Sequence, residues 1–200
     1  MPPRFDPGPL DVPPPAVFVA AVGPRMTEAT AEVADGLILH SFTTARYMRE
    51  VTQPAIDRGL AVGGRDRNGF EVRASPFVVA APDGPDRERA ITAVREQIAF
   101  YASTSSYRPV LDLHGWGELQ TDLRELTRQG RWSEMSALID DDVVDAFAIV
   151  AEPDGLAEAI HRHIGDYADR VGLTLPPGSD PDWHADVVRA LKKTAVVPSP

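Results

Sequence analysis

The sequence predicts an α/β fold built on a parallel sheet, and three observations support this prediction. Short β-prone apolar runs alternate along the chain with segments of helical periodicity. The first two runs are joined by one short helix, which is the pattern of a βαβ unit with parallel strands. The 200 residues are 43% hydrophobic and 25% charged, so the chain can bury a core. We therefore expect one domain with helices packed on parallel strands.

The βαβ unit follows a proline-rich lead-in, residues 1–15, which is predicted to be extended because proline is excluded from helix interiors and central strands. Ala16–Val22 is a continuous apolar run, typical of a strand buried on both faces. Pro24–Ala34 is predicted to be a helix, which Asp35-Gly36 ends with a glycine suited to a left-handed cap. The next apolar run, Leu37–His40, is the second strand.

The middle of the chain continues the alternation. Thr43 or Thr44 can cap the next helix. Phe70–Ala81 is the third strand candidate, in which Pro76 indicates a bulge or an edge position. Asp86–Ala102 is predicted to be a long helix because its apolar residues recur at helical spacing.

The C-terminal part is mostly helical by its pattern. Arg170–Leu175 is the fourth strand candidate, and a last helix is expected near Trp183–Lys193. We therefore expect four strands, with a helical insert before the last one. Further helices are predicted at Arg108–His114, Leu119–Gln129, Trp132–Ile139, Asp140–Val150 and Pro153–Ile164.

Composition excludes several classes of protein. The net charge of −10 argues against a general nucleic-acid binder, which carries a basic face. The absence of cysteine excludes disulfides, a thiolate nucleophile and cysteine-based zinc sites. No apolar run approaches the ~18 residues that span a membrane, and no basic segment precedes an apolar one at the N-terminus. We expect a soluble cytoplasmic protein with no metal and no membrane or nucleic-acid partner.

Two loops that follow the first two strands form the candidate binding site. A strand that ends at glycine and opens a helix with proline leaves backbone N–H groups free, and these suit a phosphate or another anion. Serine and threonine hydroxyls in the second loop can add hydrogen bonds. The alternatives are a tight turn without ligand and a simple helix cap. The candidates are Ala21, Val22, Gly23, Pro24 and Arg25 in the first loop, and His40, Ser41 and Thr43 in the second.

Tyr107, His114 and Trp116 are candidates for a substrate lid in the insert. His114 is a weak candidate for an acid–base contact with substrate, and the alternative for all three is aromatic packing between short helices. His161 and His163 are two residues apart, so they do not share a helix face and make a poor metal site.

Several stretches together resemble one family. VFVAAVGPRMTEATAEVADGLILHSF resembles the fifth and sixth strands of the bacterial-luciferase-like monooxygenases, and YMREVTQPAIDRGLAVGGR resembles their following helix and Gly-Arg turn. IAFYASTSSYRPVLDLHGWGEL and LIDDDVVDAFAIVAEPDGLAEAIHRHIGDYADRV are similar to a subgroup associated with coenzyme F420. The resemblance covers roughly residues 9–176.

The resemblance implies a TIM-type (β/α)8 barrel of which this chain provides half. About four parallel β/α units, equivalent to strands five to eight, are expected in a domain of residues 16–176. Its helical insert spans about 103–150, and residues 177–200 form a C-terminal helix and tail. In the family the first half of the barrel supplies much of the ring pocket. We therefore expect a homodimer, or pairing with a separately encoded N-terminal half, because an open half-barrel exposes strand edges.

The resemblance also implies a function. It indicates a luciferase-like oxidoreductase or monooxygenase, or a truncated homologue or subunit of one. Such a protein uses reduced F420, which the subgroup favours, or FMN for hydride or oxygen chemistry on a small organic substrate. The alternative is a non-catalytic truncated protein that binds cofactor or a partner and dimerises.

Overall fold

The computed structural model describes residues 12–174 and 181–194, and a four-stranded parallel sheet lies at its centre. The order of this sheet is β1-β2-β3-β6, and all three neighbouring pairs are parallel. The predicted α/β fold with a parallel sheet is thereby confirmed. The strands are β1 (Phe18–Ala21), β2 (Gly36–Leu39), β3 (Glu71–Ala74), β4 (Phe77–Ala80), β5 (Ala148–Ala151) and β6 (Arg170–Val171).

Helices connect and cover these strands. They are α1 (Pro24–Val33), α2 (Ala45–Tyr47), α3 (Gln53–Val62), α4 (Pro85–Ala102), α5 (Arg108–Leu113), α6 (Gly117–Arg128), α7 (Asp141–Phe147), α8 (Leu156–Ile164) and α9 (Pro181–Thr194). A π-helical turn, Met48–Thr52, joins α2 to α3. 3₁₀ helices occur at Arg67–Gly69, Ser105–Tyr107, Trp132–Leu138 and Pro153–Gly155. The helix predicted at 132–139 is therefore a 3₁₀ helix. Within the described residues, no helix combines the length and apolarity needed to cross a membrane.

A second, two-stranded sheet pairs β4 with β5, also in parallel. The predicted third strand is therefore divided in two at Ser75 and Pro76, where proline has no N–H for the ladder. The helix predicted at Asp140–Val150 was wrong at its C-terminal end. It stops at Phe147, and the β-prone residues that follow pair with β4 instead.

The predicted fourth strand is shorter than expected. Only Arg170–Val171 forms β6, and Leu175 lies outside the described residues. Most of the proline-rich lead-in, residues 1–11, also lies outside them, as do residues 175–180 and 195–200 of the predicted tail.

One side of the four-stranded sheet packs against α1, α3 and α8. The buried side chains alternate along the strands, as they do at Leu37 and Leu39 in β2, and they form the first of two cores. The second core lies around α4 and the insert, and includes Phe42, Phe77, Val79, Ile98, Leu111, Leu123 and Phe147. The main members of the first core are Leu37, Leu39, Met48, Ile56, Phe70, Val72, Ile149, Leu156 and Ile160.

The opposite side of the same sheet is only partly covered, and we call it the open face. Its residues alternate with the core residues of the other face; Gly36 is buried, Phe18 is half-buried and Arg73 is exposed. Gly36 belongs to this face and not to a helix cap, so the predicted left-handed cap was wrong. The last residue of α1 is Val33, and the residue after it, Ala34, is extended. A Cβ on Gly36 would lie 2.4 Å from Cε1 of Phe18. The open face comprises Phe18, Ala20, Gly36, Ile38, Glu71, Arg73, Ser75, Arg170 and Gly172.

Polar contacts hold the end of α1 in place. The Asp35 carboxylate accepts a hydrogen bond from the backbone N–H of Val17 at 2.7 Å. The Arg65 guanidinium donates to the carbonyl oxygens of Ala31 and Ala34 at 3.2 and 2.5 Å. These carbonyls belong to the last turn of the helix, which has no further intrahelical donors. Asp35 and Arg65 thus act as structural residues at the end of the sheet remote from the predicted loops.

Candidate functional site

The first predicted loop lies at the carboxyl end of β1. Pro24 occupies the first turn of α1, and Gly23 before it has a φ of 79°, a conformation that favours glycine. No side chain among the described residues caps this helix, although the Thr27 hydroxyl donates to the Gly23 carbonyl at 3.0 Å. The first-turn N–H groups of α1 are therefore available to a ligand.

The second predicted loop follows β2. The backbone N–H of Phe42 donates to Nδ1 of His40 at 3.0 Å, so the proton of the neutral ring is on Nε2. Burial lowers the pKa of His40, which favours the neutral form. Of the two predicted caps, Thr44 is the one used: its hydroxyl oxygen accepts from the N–H of Tyr47 at 3.0 Å.

The predicted lid residues meet this second loop. The ring centroid of His40 is 4.7 Å from that of Tyr107 and 4.7 Å from that of Tyr101. Nε2 of His114 is 2.8 Å from the hydroxyl oxygen of Thr44. The structure therefore places Tyr107 against His40 and His114 against Thr44, although the members of each pair are far apart in sequence.

His114 is held from two sides. Its ring stacks on Trp116 with a centroid distance of 4.5 Å and an interplanar angle of 9°, while Nε2 reaches Thr44. Burial, followed by the nearby charge of Arg46, lowers the pKa of His114. The pKa of Tyr107 is raised by burial and then by Tyr101. At neutral pH these groups are therefore uncharged hydrogen-bonding partners rather than ionic ones.

A small cavity of about 30 Å³ lies between the two loops and the insert. Tyr47, directly before the π-helical turn, and Thr52, its last residue, also line it. Its volume suits a water molecule and is far below that of a tricyclic ring. The remaining lining residues are Ala21, Val22, Gly23, Thr27, Leu39, His40, Phe42, Thr43, Ser106 and Val110.

A second cavity of about 10 Å³ lies on the other side of the second loop. Ser41 and Thr43 line it together with His163 and Tyr167, which come from α8 and the turn after it. Burial is the main cause that lowers the pKa of His163. Both hydroxyls of the second loop therefore face polar side chains that the sequence did not associate with it.

Some candidates stay outside this cluster. Arg25 is exposed on α1 and makes no hydrogen bond or ion pair with any described residue. Thr44 was predicted only as a cap, and its bond to His114 has no local sequence signal because 70 residues separate the two. Among residues 12–174 and 181–194, no group of three or more histidine or acidic side chains can hold a metal ion.

Comparison with known proteins agrees with this architecture. An uncharacterized protein of Mycobacterium tuberculosis is 47% identical over 171 residues, which cover 86% of this chain and 50% of the relative. The 5,10-methylenetetrahydromethanopterin reductase of Archaeoglobus fulgidus is 29% identical over 181 residues, covering 88% of this chain and 51% of the enzyme. The chain thus spans about half the length of these relatives.

A solved structure shares the fold. The coenzyme F420 dependent tetrahydromethanopterin reductase of Methanopyrus kandleri matches with a TM-score of 0.66 and 22% identity, over 88% of this chain and 49% of that one. The family model described as luciferase-like monooxygenase matches residues 2–170. Because that model matches most of the length of this chain, the chain belongs to the luciferase-like monooxygenase family.

Proposed function

We propose that this chain forms one half of a (β/α)8-barrel oxidoreductase that uses coenzyme F420 to transfer hydride to or from a small organic substrate. The observation that carries the proposal is the meeting of the two strand-end loops with the insert at one end of a parallel sheet. Active sites of such barrels lie at the carboxyl ends of the strands. Two relatives in the same family are named as reductases of a pterin substrate, and a matching structure is named F420 dependent.

The half-barrel is supported by the order of the sheet. Four parallel strands follow one another as neighbours, and among the described residues β1 and β6 each pair on one side only. Closing such a sheet needs further strands. We propose that residues 16–176 form this unit, with the insert at about 103–150, which is helical except that its last residues belong to β5. A second copy of the chain or a separate N-terminal half would supply the remaining strands.

The cofactor would be held by backbone and hydroxyl donors. We assign its phosphate-bearing side chain to Ala21–Arg25 and to His40, Ser41 and Thr43, because the uncapped start of α1 and the two hydroxyls are the donor set that a phosphate needs. The cavity between these loops is too small for the ring, so the ring requires the space that the open face borders. When bound, the deazaflavin supplies the hydride chemistry.

The insert would cover the substrate. Tyr107 and Trp116 offer aromatic surface, and His114 offers a neutral imidazole. The bond of Nε2 to Thr44 holds the His114 ring in place, so we assign this residue first to positioning the insert. FMN is the second choice of cofactor, since it carries a phosphate on the same kind of ring system.

One titration tests the proposal. Purified protein is titrated separately with F420 and FMN while absorbance and light-scattering mass are followed in the same sample. We expect saturable binding of F420 that weakens in a Ser41→Ala/Thr43→Val double variant and persists in Ser133→Ala, a serine of the insert away from both loops. No saturable binding of either cofactor would contradict the proposal.

A non-catalytic function is the alternative, and the partly exposed open face favours it. Such a protein would bind cofactor or associate through this face without turnover. A dimer by light scattering, together with absent cofactor binding, would support it. Cofactor binding with substrate-dependent oxidation or reduction would exclude it.

A further inference from the structure

The open face carries two arginines at directly opposed positions. Arg73 in β3 and Arg170 in β6 are register partners, and the next pair is Ala74 with Val171. Because side chains alternate along a strand, Ser75 projects on the same face as Arg73. Gly172, two residues after Arg170, lies on the neighbouring strand. The backbone N–H of Gly172 donates to the Ala74 carbonyl at 2.8 Å, which extends the pairing to this level.

Gly172 leaves room for the two polar side chains. A Cβ at this position would lie 2.8 Å from Oγ of Ser75 and 3.1 Å from Nη2 of Arg73. The same Cβ would be 3.4 Å from Nε of Arg73. The guanidinium and the hydroxyl therefore converge over the bare backbone of Gly172. Neither makes a hydrogen bond with any other described residue.

The charges around Arg73 do not balance. Arg170 is bonded to Glu71, with Nη2 3.1 Å from Oε1, and this bond lowers the pKa of Glu71. Arg67 is paired with Asp169 at 2.6 Å. Three guanidinium groups thus face two carboxylates, and Arg73 is the one without a carboxylate among the described residues. This local excess of positive charge occurs in a chain whose net charge is −10.

We propose that Arg73 and Ser75, over Gly172, bind a phosphate group of an organic ligand. A guanidinium presents N–H donors in a planar fork that matches phosphate oxygens, and a nearby hydroxyl adds one more donor. Ser75 directly follows the last residue of β3, so the site lies at the carboxyl end of the strands, where phosphate sites of parallel α/β proteins occur. The site belongs to the strand pair β3–β6, and Ser75 also lines the cavity of about 10 Å³ beside Ser41 and Thr43 of the second loop.

Inorganic pyrophosphate is the probe for this site. We would measure its dissociation constant by isothermal titration calorimetry on the full chain, at fixed ionic strength set with chloride. We expect Arg73→Gln to weaken binding at least tenfold. Arg124→Gln is the matched control, since it removes the same charge from an exposed position on α6, and it should change the constant less than twofold.

A second variant separates the site from folding. Gly172→Ala keeps every charge but introduces a Cβ that would displace the Ser75 hydroxyl and crowd the Arg73 guanidinium, so it should weaken pyrophosphate binding with an unchanged circular dichroism spectrum. The proposal is overturned if Arg73→Gln binds as the wild type does, or if Arg124→Gln loses as much affinity. Because the loops after β1 and β2 are also proposed to bind phosphate, the Ser41→Ala/Thr43→Val variant is titrated with pyrophosphate in parallel. The proposal requires that this variant keep the binding that Arg73→Gln loses, whatever the outcome of the cofactor titration.

Discussion

The hydroxyl oxygen of Thr44 lies 2.8 Å from Nε2 of His114, although 70 residues separate them in the chain. The same oxygen accepts from the N–H of Tyr47 at the start of α2. One buried threonine therefore both caps α2 and holds His114 of the insert.

Replacing Thr44 should cost stability in two ways. Thr44→Val removes the cap, worth about 1 kcal/mol, and the hydrogen bond to His114, worth a further 1 kcal/mol or so. Urea unfolding should show the loss, and Thr44→Ser should recover most of it. Thr43→Val, next to it but not used as the cap, is the control. Equal unfolding midpoints for Thr44→Val and the wild type would contradict this assignment.

Stability should fall as the pH is lowered through the histidine range. Burial lowers the pKa of His40, His114 and His163 below the ordinary value of 6.5, so around that pH the unfolded chain binds more protons than the folded one. The contribution of these histidines to the free energy of unfolding is then fully present above pH 6.5. It is lost progressively as the pH falls below that value. Urea titrations between about pH 7.5 and 5.5 measure the slope, and His114→Gln should flatten it. A slope of opposite sign is incompatible with these shifts.

Gly59 is required by the contact between α1 and α3. A Cβ there would lie 2.1 Å from the carbonyl oxygen of Glu28 and 2.8 Å from Cβ of Ala31. Alanine favours a helix over glycine by up to about 1 kcal/mol, but a clash with backbone costs about 1–3 kcal/mol, so Gly59→Ala should be destabilising overall. Thermal unfolding compared with Gly69→Ala, where a Cβ meets nothing within 4 Å, gives the answer. A stabilised Gly59→Ala would show that the helices are further apart.

Arg65 should matter more than its neighbours on the surface. Arg65→Gln removes the donors that serve the carbonyls of Ala31 and Ala34 and should lower the free energy of unfolding by about 1–3 kcal/mol. Arg58→Gln breaks an exposed ion pair with Glu28 and should cost less than about 1 kcal/mol. Chemical unfolding of both variants checks the difference, and similar losses would refute the role given to Arg65.

The first part of the fold could be predicted from the sequence because its signals are local. An apolar run, a proline at the start of a helix and a second run specify β1, α1 and β2 to within two residues. The strand β5 could not be predicted in this way. Ala148-Ile149-Val150 directly follows a helical pattern, and its strand conformation depends on pairing with Phe77–Ala80, some 70 residues earlier.

The candidate site was predictable in part for the same reason. The loops after β1 and β2 follow from strand and helix signals, and the structure brings them to one cavity. The prediction of a cap at Gly36 was wrong because the sequence around Gly36 does not indicate that the Phe18 ring packs where a Cβ would lie. Arg73 was not singled out, since its relation to Gly172 exists only across two strands.

Ser75 and Pro76 are all that separates β3 from β4, so one nearly continuous length of chain belongs to both sheets. Proline fixes one backbone dihedral angle there, so the link has little conformational freedom. The small sheet is therefore joined to the large one by a link of only two residues. β5 pairs with β4, so the C-terminal end of the insert is connected through this link to the end of β3, one residue from Arg73.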